Sequence, residues 1–398
     1  MSGRRPRIGL FGLLGSGNIG NDASVEAIIS YLRTEYPDAT MDAMCMGWER
    51  MRDRYGIATI PIQWQQKHSR PGLPGKVLAV LGKAIDGFRT AAWVRGHDVV
   101  IIPGMGILDP TLPLNPWGIP WAVYLLAAWG RLLRAKVALV AVGADKADSK
   151  VTQGLYNRIV GLSAYCSFRD ERSREVLRAE GVDVSAASIH PDLVWTIPVC
   201  RDKPVVPNLV AVGVMEYHGG SADPDGASDV YASYTRSMAD FTRWLIETGR
   251  DVRLYYGDEV DKPALDKILA DVKAALPGIA PERLTAHYAT SYPEVTKLLE
   301  PVATVVATRF HSVMFGLKLG KPTIALTYAR KIDSLMADLG LSEFCLPAGA
   351  IDLDVLKARF TEAEARRDEI IPALEKTVAE RSAAAQEQFT ELSRALFG

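Results

Sequence analysis

Arginine and histidine stand two positions apart in Thr308-Arg309-Phe310-His311-Ser312, after the apolar run Ala303 to Ala307 and before the helical pattern of Val313, Phe315, Gly316 and Leu319. A strand ending there and a helix starting there place Arg309 and His311 on a loop beside unpaired helix N–H groups. A planar guanidinium fork in that favourable field suits phosphate or carboxylate. Imidazole is the side chain best matched to proton transfer near neutral pH, so His311 is the natural proton donor. Phe310, between them, is expected to point inward as packing. The competing reading, a capping arginine beside a satisfied core histidine, is the commoner fate of either residue alone. Their joint occurrence on one such loop favours chemistry.

Other strand ends carry further candidates. Cys166-Ser167-Phe168-Arg169-Asp170-Glu171-Arg172-Ser173 repeats the arrangement, with Arg169 as a second cation, Asp170 as a helix cap and Glu171 in the first turn. Lys331, after Thr327-Tyr328-Ala329-Arg330, stands at a third helix start, where a surface lysine is the plainer reading. In His190-Pro191-Asp192, Asp192 either binds a polyol or fixes a turn. Met215-Glu216-Tyr217-His218-Gly219-Gly220 offers two titratable groups and an aromatic ring, suited to a sugar. Gly15-Ser16-Gly17-Asn18-Ile19-Gly20 matches G-x-G-x-x-G, yet no acidic residue ends the second strand, so a nicotinamide site is not favoured. Its glycines still permit close backbone approach to a ligand. Pro103-Gly104-Met105-Gly106 is a similar turn. The histidines form neither H-x-x-x-H nor H-E-x-x-H, so no catalytic metal is indicated.

What positions these loops is an alternation of short apolar runs and helical patterns, the mark of β-α units around parallel sheets. Strands are expected at Ile8–Leu14, Thr40–Cys45, Asp98–Ile102, Val137–Val142 and Ala164–Phe168, then at Leu209–Val214, Val252–Tyr256, Ala303–Thr308 and Thr323–Leu326. Helices are expected near 228–248, 262–275, 312–319 and 332–339. Val25, Ile28, Ile29, Leu32 and Tyr36 share one helical face, with Asn21 or Asp22 as its cap. The proline-rich segment 198–208 reads as a linker. The expected architecture is α/β: two Rossmann-like doubly wound domains facing a cleft, at 1–197 and 209–372, and a closing helix over 373–398 after Pro372.

Composition narrows the function. With 46 basic against 47 acidic side chains there is no global field to draw the protein onto nucleic acid, so an anionic ligand must be held locally. Cys45, Cys166, Cys200 and Cys345 contain no C-x-x-C pair and read as buried thiols in a reducing cytoplasm. Arg4, Arg5 and Arg7 before Ile8–Leu14 mimic a signal peptide without its cleavage pattern. Pro110 to Gly130 is uncharged over 21 residues but broken by Pro110, Pro113, Pro116 and Pro120, which argues against a span. Lys76 to Trp93 mixes Val77, Leu78, Val80, Leu81, Ile85 and Phe88 with Lys76, Lys83 and Arg89, as an interfacial helix would, although a core helix is preferred.

The chain resembles the polysaccharide pyruvyl transferase family. The likeness rests on Asn18-Ile19-Gly20-Asn21-Asp22, the turn after Asp98–Ile102, Ser167 to Ser173 with Pro191-Asp192, and Arg309-Phe310-His311 followed by Gly320-Lys321-Pro322 and Tyr328-Ala329-Arg330-Lys331. Here Asn21 is inserted into the first motif, and Phe310 stands where leucine is usual. The resemblance implies a B-type glycosyltransferase architecture and transfer of the pyruvyl unit of phosphoenolpyruvate onto two hydroxyls of a sugar as a cyclic ketal. The acceptor would be a cell-surface polysaccharide or lipid-linked glycan precursor. No cofactor, metal or nucleic acid would be expected to take part, and the setting would be cytoplasmic, with peripheral membrane contact as a secondary expectation. Arg309 and His311 would be catalytic, and Arg169, Lys331, Asn18, Asp22, Asp192, Glu216 and His218 would bind substrate. Asp22, Asp192, Glu216 and His218 all stay open as the base. The alternatives are a nucleotide-sugar-dependent glycosyltransferase and a non-catalytic glycan-binding protein of the same fold.

Overall fold

The computed structural model describes residues 5–64, 73–109, 116–147, 149–199, 202–219 and 227–398, and only the backbone of 73–81. Arg4, Pro110, Pro113, Cys200 and Gly220 lie outside the described residues. The chain divides into two compact units, one of Met1–Ser16, Asn21–Ile197 and Ser382–Gly398, the other of Gly17–Gly20 and Pro198–Arg381. Two segments thus depart from the expected boundaries: the loop 17–20 clusters with the second unit, and the end of the chain with the first.

Continuous apolar runs become interior strands because helices cover both faces of a parallel sheet. In the first unit the elements are β1 (Arg7–Gly12), α1 (Ile19–Glu35), β2 (Thr40–Cys45), α2 (Trp48–Tyr55), β3 (Ala58–Pro61), α3 (Leu73–Val94), β4 (Val99–Pro103), α4 (Ile119–Leu133), β5 (Lys136–Val142), α5 (Lys150–Leu162), β6 (Tyr165–Phe168), α6 (Glu171–Ala179) and β7 (Ser188–Ile189). Their order is β3-β2-β1-β4-β5-β6-β7, parallel throughout, so the strand order reverses between β1 and β4. The second unit has β8 (Leu209–Val214), α7 (Ala227–Glu247), β9 (Asp251–Tyr256), α8 (Lys262–Ala275), β10 (Leu284–His287), α9 (Tyr292–Leu299), β11 (Thr304–Ala307), α10 (Phe310–Lys318), β12 (Thr323–Thr327), α11 (Arg330–Asp338), β13 (Cys345–Pro347), α12 (Leu353–Ala365) and α13 (Arg367–Phe397). Its parallel order, β10-β9-β8-β11-β12-β13, reverses between β8 and β11.

Several expectations need correction. Helix α1 starts at Ile19, so Asp22 stands in its first turn rather than at its cap. Helix α13 begins at Arg367 and runs through Pro372, because Ile370, Leu374 and Val378 form one buried stripe at four-residue spacing across the missing N–H. Among residues 82–94 of α3, Gly82, Asp86, Thr90 and Val94 are buried, while Phe88 is 78% exposed and is no core residue. Asp86 accepts the Trp64 N–H at 2.7 Å and pairs with Arg89 at 3.0 Å. Among the described residues no helix is long and apolar enough to cross a membrane. Cys45, Cys166 and Cys345 are free thiols, each pushed up to about 12 by burial.

The end of α13 docks within the first unit through Tyr31, stacked on Phe389 at 4.0 Å, and through Lys136 Nζ, which donates to the carbonyls of Ala395 and Leu396. His190 Nε2 and Ser188 Oγ meet Glu391 Oε2 at 2.9 and 2.8 Å. Burial pushes the Glu391 carboxyl up, but these bonds outweigh it and hold its pKa below the ordinary value. A depressed carboxylate stabilises above its unfolded-state pKa and stops doing so as pH falls through the folded value. Glu391→Gln is therefore expected to cost about 1 kcal/mol or less at neutral pH, given solvent screening at this half-exposed site. In acid titration monitored by circular dichroism the difference from wild type should vanish below the carboxylate range.

Candidate active site

In an open parallel sheet the loops beyond the carboxyl ends of the strands, at the point where the strand order reverses, are where ligands bind. In the second unit those loops follow β8 and β11. Beyond β11, Thr308 Oγ1 pairs with the buried Tyr234 hydroxyl at 2.7 Å, and that hydroxyl also accepts the Met215 N–H at 3.1 Å. Both loop starts are tied to one phenol. Arg309 then takes extended backbone as the residue before α10, with φ −68° and ψ 137°. Its Nε and Nη2 donate to Asp261 at 2.9 and 2.6 Å, a bidentate pair in which Nη1 takes no part. Asp261 has no exposed surface, and its Oδ1 accepts the Glu216 N–H at 2.9 Å as well. Burial works against the Arg309 charge, but the Asp261 carboxylate outweighs it and lifts the guanidinium pKa above its ordinary value. Burial likewise pushes the Asp261 carboxyl above its ordinary value, against the pull of Arg309.

His311 is half-buried, its ring edge-on to Phe310 at 5.1 Å. A Cβ built on Gly20 would fall 1.9 Å from His311 Nδ1, so the absence of a side chain at position 20 is what lets the imidazole sit there. The glycine-bearing loop is held in place by Ile19 N–H to the Gly257 carbonyl, by Glu259 N–H to the Gly17 carbonyl, and by Asn18 Nδ2 to Asp258 Oδ2 at 2.8 Å. Gly20→Ala is expected to destabilise by about 1–3 kcal/mol through overpacking. The loss should disappear in a His311→Ala background, a non-additivity that a cycle of thermal melts reads directly.

Glu216 and His218 follow β8. His218 Nε2 lies 3.0 Å from Glu216 Oε1, and the imidazole stacks on Tyr231 at 4.7 Å and 11°. Beyond β12, Tyr328 lies close enough to Arg309 to act on its charge, and Lys331 Nζ sits 5.9 Å from the Tyr328 ring. Arg309, Glu216 and His218 thus stand on strand-end loops of one sheet, while His311 and Lys331 fall in the first turns of α10 and α11 rather than on the loops expected, and Asn18 is tied to Asp258 on another such loop.

In the first unit, Arg169 follows β6 and is buried over Gly143, where a Cβ would fall 2.6 Å from Nη2. Its guanidinium pairs with Asp170 at 3.6 Å and with Asp192 at 3.5 Å. The neighbouring strand β5 is irregular: Ala141 adopts φ 50° and donates its N–H to Ser167 Oγ at 2.8 Å. Asp170 caps α6 by accepting the Ser173 N–H, as expected. Asp192 is 2% exposed and accepts the Val194 N–H, so it fixes the turn. Asp22, also 2% exposed, accepts the Gly15 N–H at 2.8 Å and braces its loop. Where β1 and β4 diverge, Met105 fills the space: its Sδ accepts the Leu13 N–H at 3.3 Å and would meet a Cβ on Gly12 at 2.7 Å. Gly12 thus leaves room for Met105, and Gly15, where a Cβ would fall 2.5 Å from the Gly47 carbonyl oxygen, leaves room for that backbone.

Asp261 is the residue that the sequence left unmarked. Its signal was position: Gly257-Asp258-Glu259-Val260-Asp261 lies between the end of β9 and the start of α8, the same kind of loop as the others. Among the described residues no group of three or more His, Cys, Asp or Glu is arranged to hold a metal ion.

A sequence model of the polysaccharide pyruvyl transferase family matches residues 18–330. The chain belongs to the polysaccharide pyruvyl transferase family. The matched span encloses Asn18, Asp22, Arg169, Asp192, Glu216, His218, Arg309 and His311, and stops one residue short of Lys331. No curated protein sequence matches the chain significantly. Among solved structures, the chain is similar to a UDP-GlcNAc 2-epimerase from Neisseria meningitidis bound to UDP-GlcNAc, with TM-score 0.59 and 9% identity over 97% of this chain and 98% of that one. HepE from Anabaena, in complex with UDP and glucose, gives TM-score 0.60 at 10% identity over 98% and 99% of the two chains. The lipopolysaccharide outer core galactosyltransferase WaaB gives 0.54 at 14% over 98% and 99%. At such identities the likeness is one of fold: two parallel α/β sheets of the B-type glycosyltransferase and epimerase kind that this pyruvyl transferase family member shares.

Proposed function

We propose that the protein transfers the pyruvyl unit of phosphoenolpyruvate onto two hydroxyls of a sugar in a cell-surface polysaccharide or glycolipid precursor, forming a cyclic ketal. The observation that carries this reading is the Arg309-Phe310-His311 loop, with Arg309 fixed by Asp261 and His311 seated against Gly20. Phosphoenolpyruvate carries two anionic groups on a small frame, and a guanidinium locked in one orientation offers it charge without reorganisation. In the proposed reaction His311 protonates the methylene carbon while a sugar hydroxyl adds to the adjacent carbon and surrenders its proton to a base. The C–O bond to phosphate then breaks, inorganic phosphate leaves, and the second hydroxyl closes the ketal with loss of its proton. No redox change occurs. Arg169 is proposed as an anion contact of the first unit, on its position directly after β6.

The setting proposed for this activity is the cytoplasm. The test is phosphate release from phosphoenolpyruvate across free and lipid-linked glycans, alongside thermal shifts with phosphoenolpyruvate and with UDP-sugars, since a true ligand stabilises by mass action. Acceptor-dependent phosphate release is expected. Stabilisation by a UDP-sugar, with nucleotide release and no phosphate release, would overturn the reading in favour of a glycosyltransferase.

A further inference from the structure

Attack by a sugar hydroxyl needs a base, and the sequence leaves four residues open for that role. Two of them are spoken for. Asp22 is 2% exposed and bonded to the Gly15 N–H, and Asp192 is 2% exposed and bonded to the Val194 N–H beside Arg169. A base has to reach solvent-borne substrate, and neither carboxylate does.

Glu216 and His218 differ in every respect that matters. His218 has half its side chain exposed, whereas Glu216 is 21% exposed. Their contact runs from His218 Nε2 to Glu216 Oε1 at 3.0 Å. A neutral imidazole that donates from Nε2 to a carboxylate keeps its lone pair on Nδ1, and the carboxylate stabilises the imidazolium that forms when Nδ1 takes a proton. Stacking on Tyr231 at 4.7 Å and 11° sets the ring plane. The pair is also registered to the donor-side cation, because the Glu216 N–H and Arg309 Nη2 converge on the same atom, Asp261 Oδ1, at 2.9 and 2.6 Å.

We propose that His218 is the general base that takes the proton of the attacking acceptor hydroxyl through Nδ1, with Glu216 as its positioning residue. The inference rests on the pyruvyl-transfer reading above. In the step, the sugar O–H bond breaks, its proton goes to His218 Nδ1, and the oxygen forms its bond to the enol carbon.

The experiment compares wild type, His218→Ala and Glu216→Gln in the phosphate-release assay with a saturating glycan acceptor, with and without added imidazole. Loss of a general base lowers kcat about 100-fold or more. His218→Ala is expected to show that loss at an unchanged KM for phosphoenolpyruvate and to regain turnover in proportion to imidazole concentration. Glu216→Gln should lose kcat in the same direction without imidazole rescue, since its imidazole is still present. Turnover of His218→Ala at the wild-type rate, a change confined to acceptor KM, or a loss that imidazole does not relieve would each overturn the assignment. A wild-type protein that releases no phosphate with any acceptor would instead remove the parent reading, so the two failures are distinguishable. The exposure of His218 makes folding of the variant safe, and a thermal melt confirms it.

Discussion

His311→Ala lowers acceptor-dependent phosphate release from phosphoenolpyruvate by about 100-fold or more, the usual contribution of a positioned proton donor, and leaves the melting temperature close to that of wild type. The separation is expected because the half-buried imidazole rests on the bare backbone of Gly20, so truncation removes a reacting group and opens no interior cavity. Arg309→Lys should impair turnover by a different route. A lysine retains the charge but cannot make the two parallel bonds to Asp261, so the cation is no longer held in one place. Equal falls in kcat and kcat/KM for His311→Ala, against a rise in KM for Arg309→Lys, would assign the two roles. Turnover of His311→Ala within about three-fold of wild type would exclude the imidazole from the chemical step.

Asp261→Ala carries the largest expected loss of stability, about 3–5 kcal/mol, because it strands a guanidinium that burial already penalises. It also removes the acceptor of the Glu216 N–H, so the loop after β8 loses its tie to the loop after β11. The double variant Asp261→Leu with Arg309→Met should recover much of that stability, since an apolar pair of similar volume replaces a buried ion pair at little cost. It should nonetheless remain inactive. Urea unfolding read beside phosphate release separates the two effects. If the double variant turned over, the ion pair would be structural only.

The strands that sequence reading finds and those it misses divide by their place in the sheets. β1, β2, β4, β5, β6, β8, β9, β11 and β12 all lie inside a sheet, and all were expected from apolar runs. The four that were not expected, β3, β7, β10 and β13, are the four sheet edges. An edge strand is short and covered less completely, so its burial pattern is mixed, as in the half-buried residues of β7 and β10. It need not be a run of valine and isoleucine. The same logic applies to residues 82–94 of α3, where the buried positions include Asp86 and Thr90, polar residues that a search for apolar periodicity passes over.

Local order along the chain was enough to identify two parallel α/β sheets, to set Arg309 and His311 at the start of a helix, and to give the glycine-bearing loop its tight turn. These follow from patterns within a dozen residues, where backbone sterics and hydrophobic spacing act directly. Partnership across the sheet was decided only by folding. That Asp261 clamps a guanidinium 48 positions away, that Gly20 makes room for His311, and that Met105 fills the space beside Gly12 depend on which strands lie side by side. A sequence does not print that adjacency, because parallel neighbours are joined by long crossovers and the residues that meet at their ends share no local spacing.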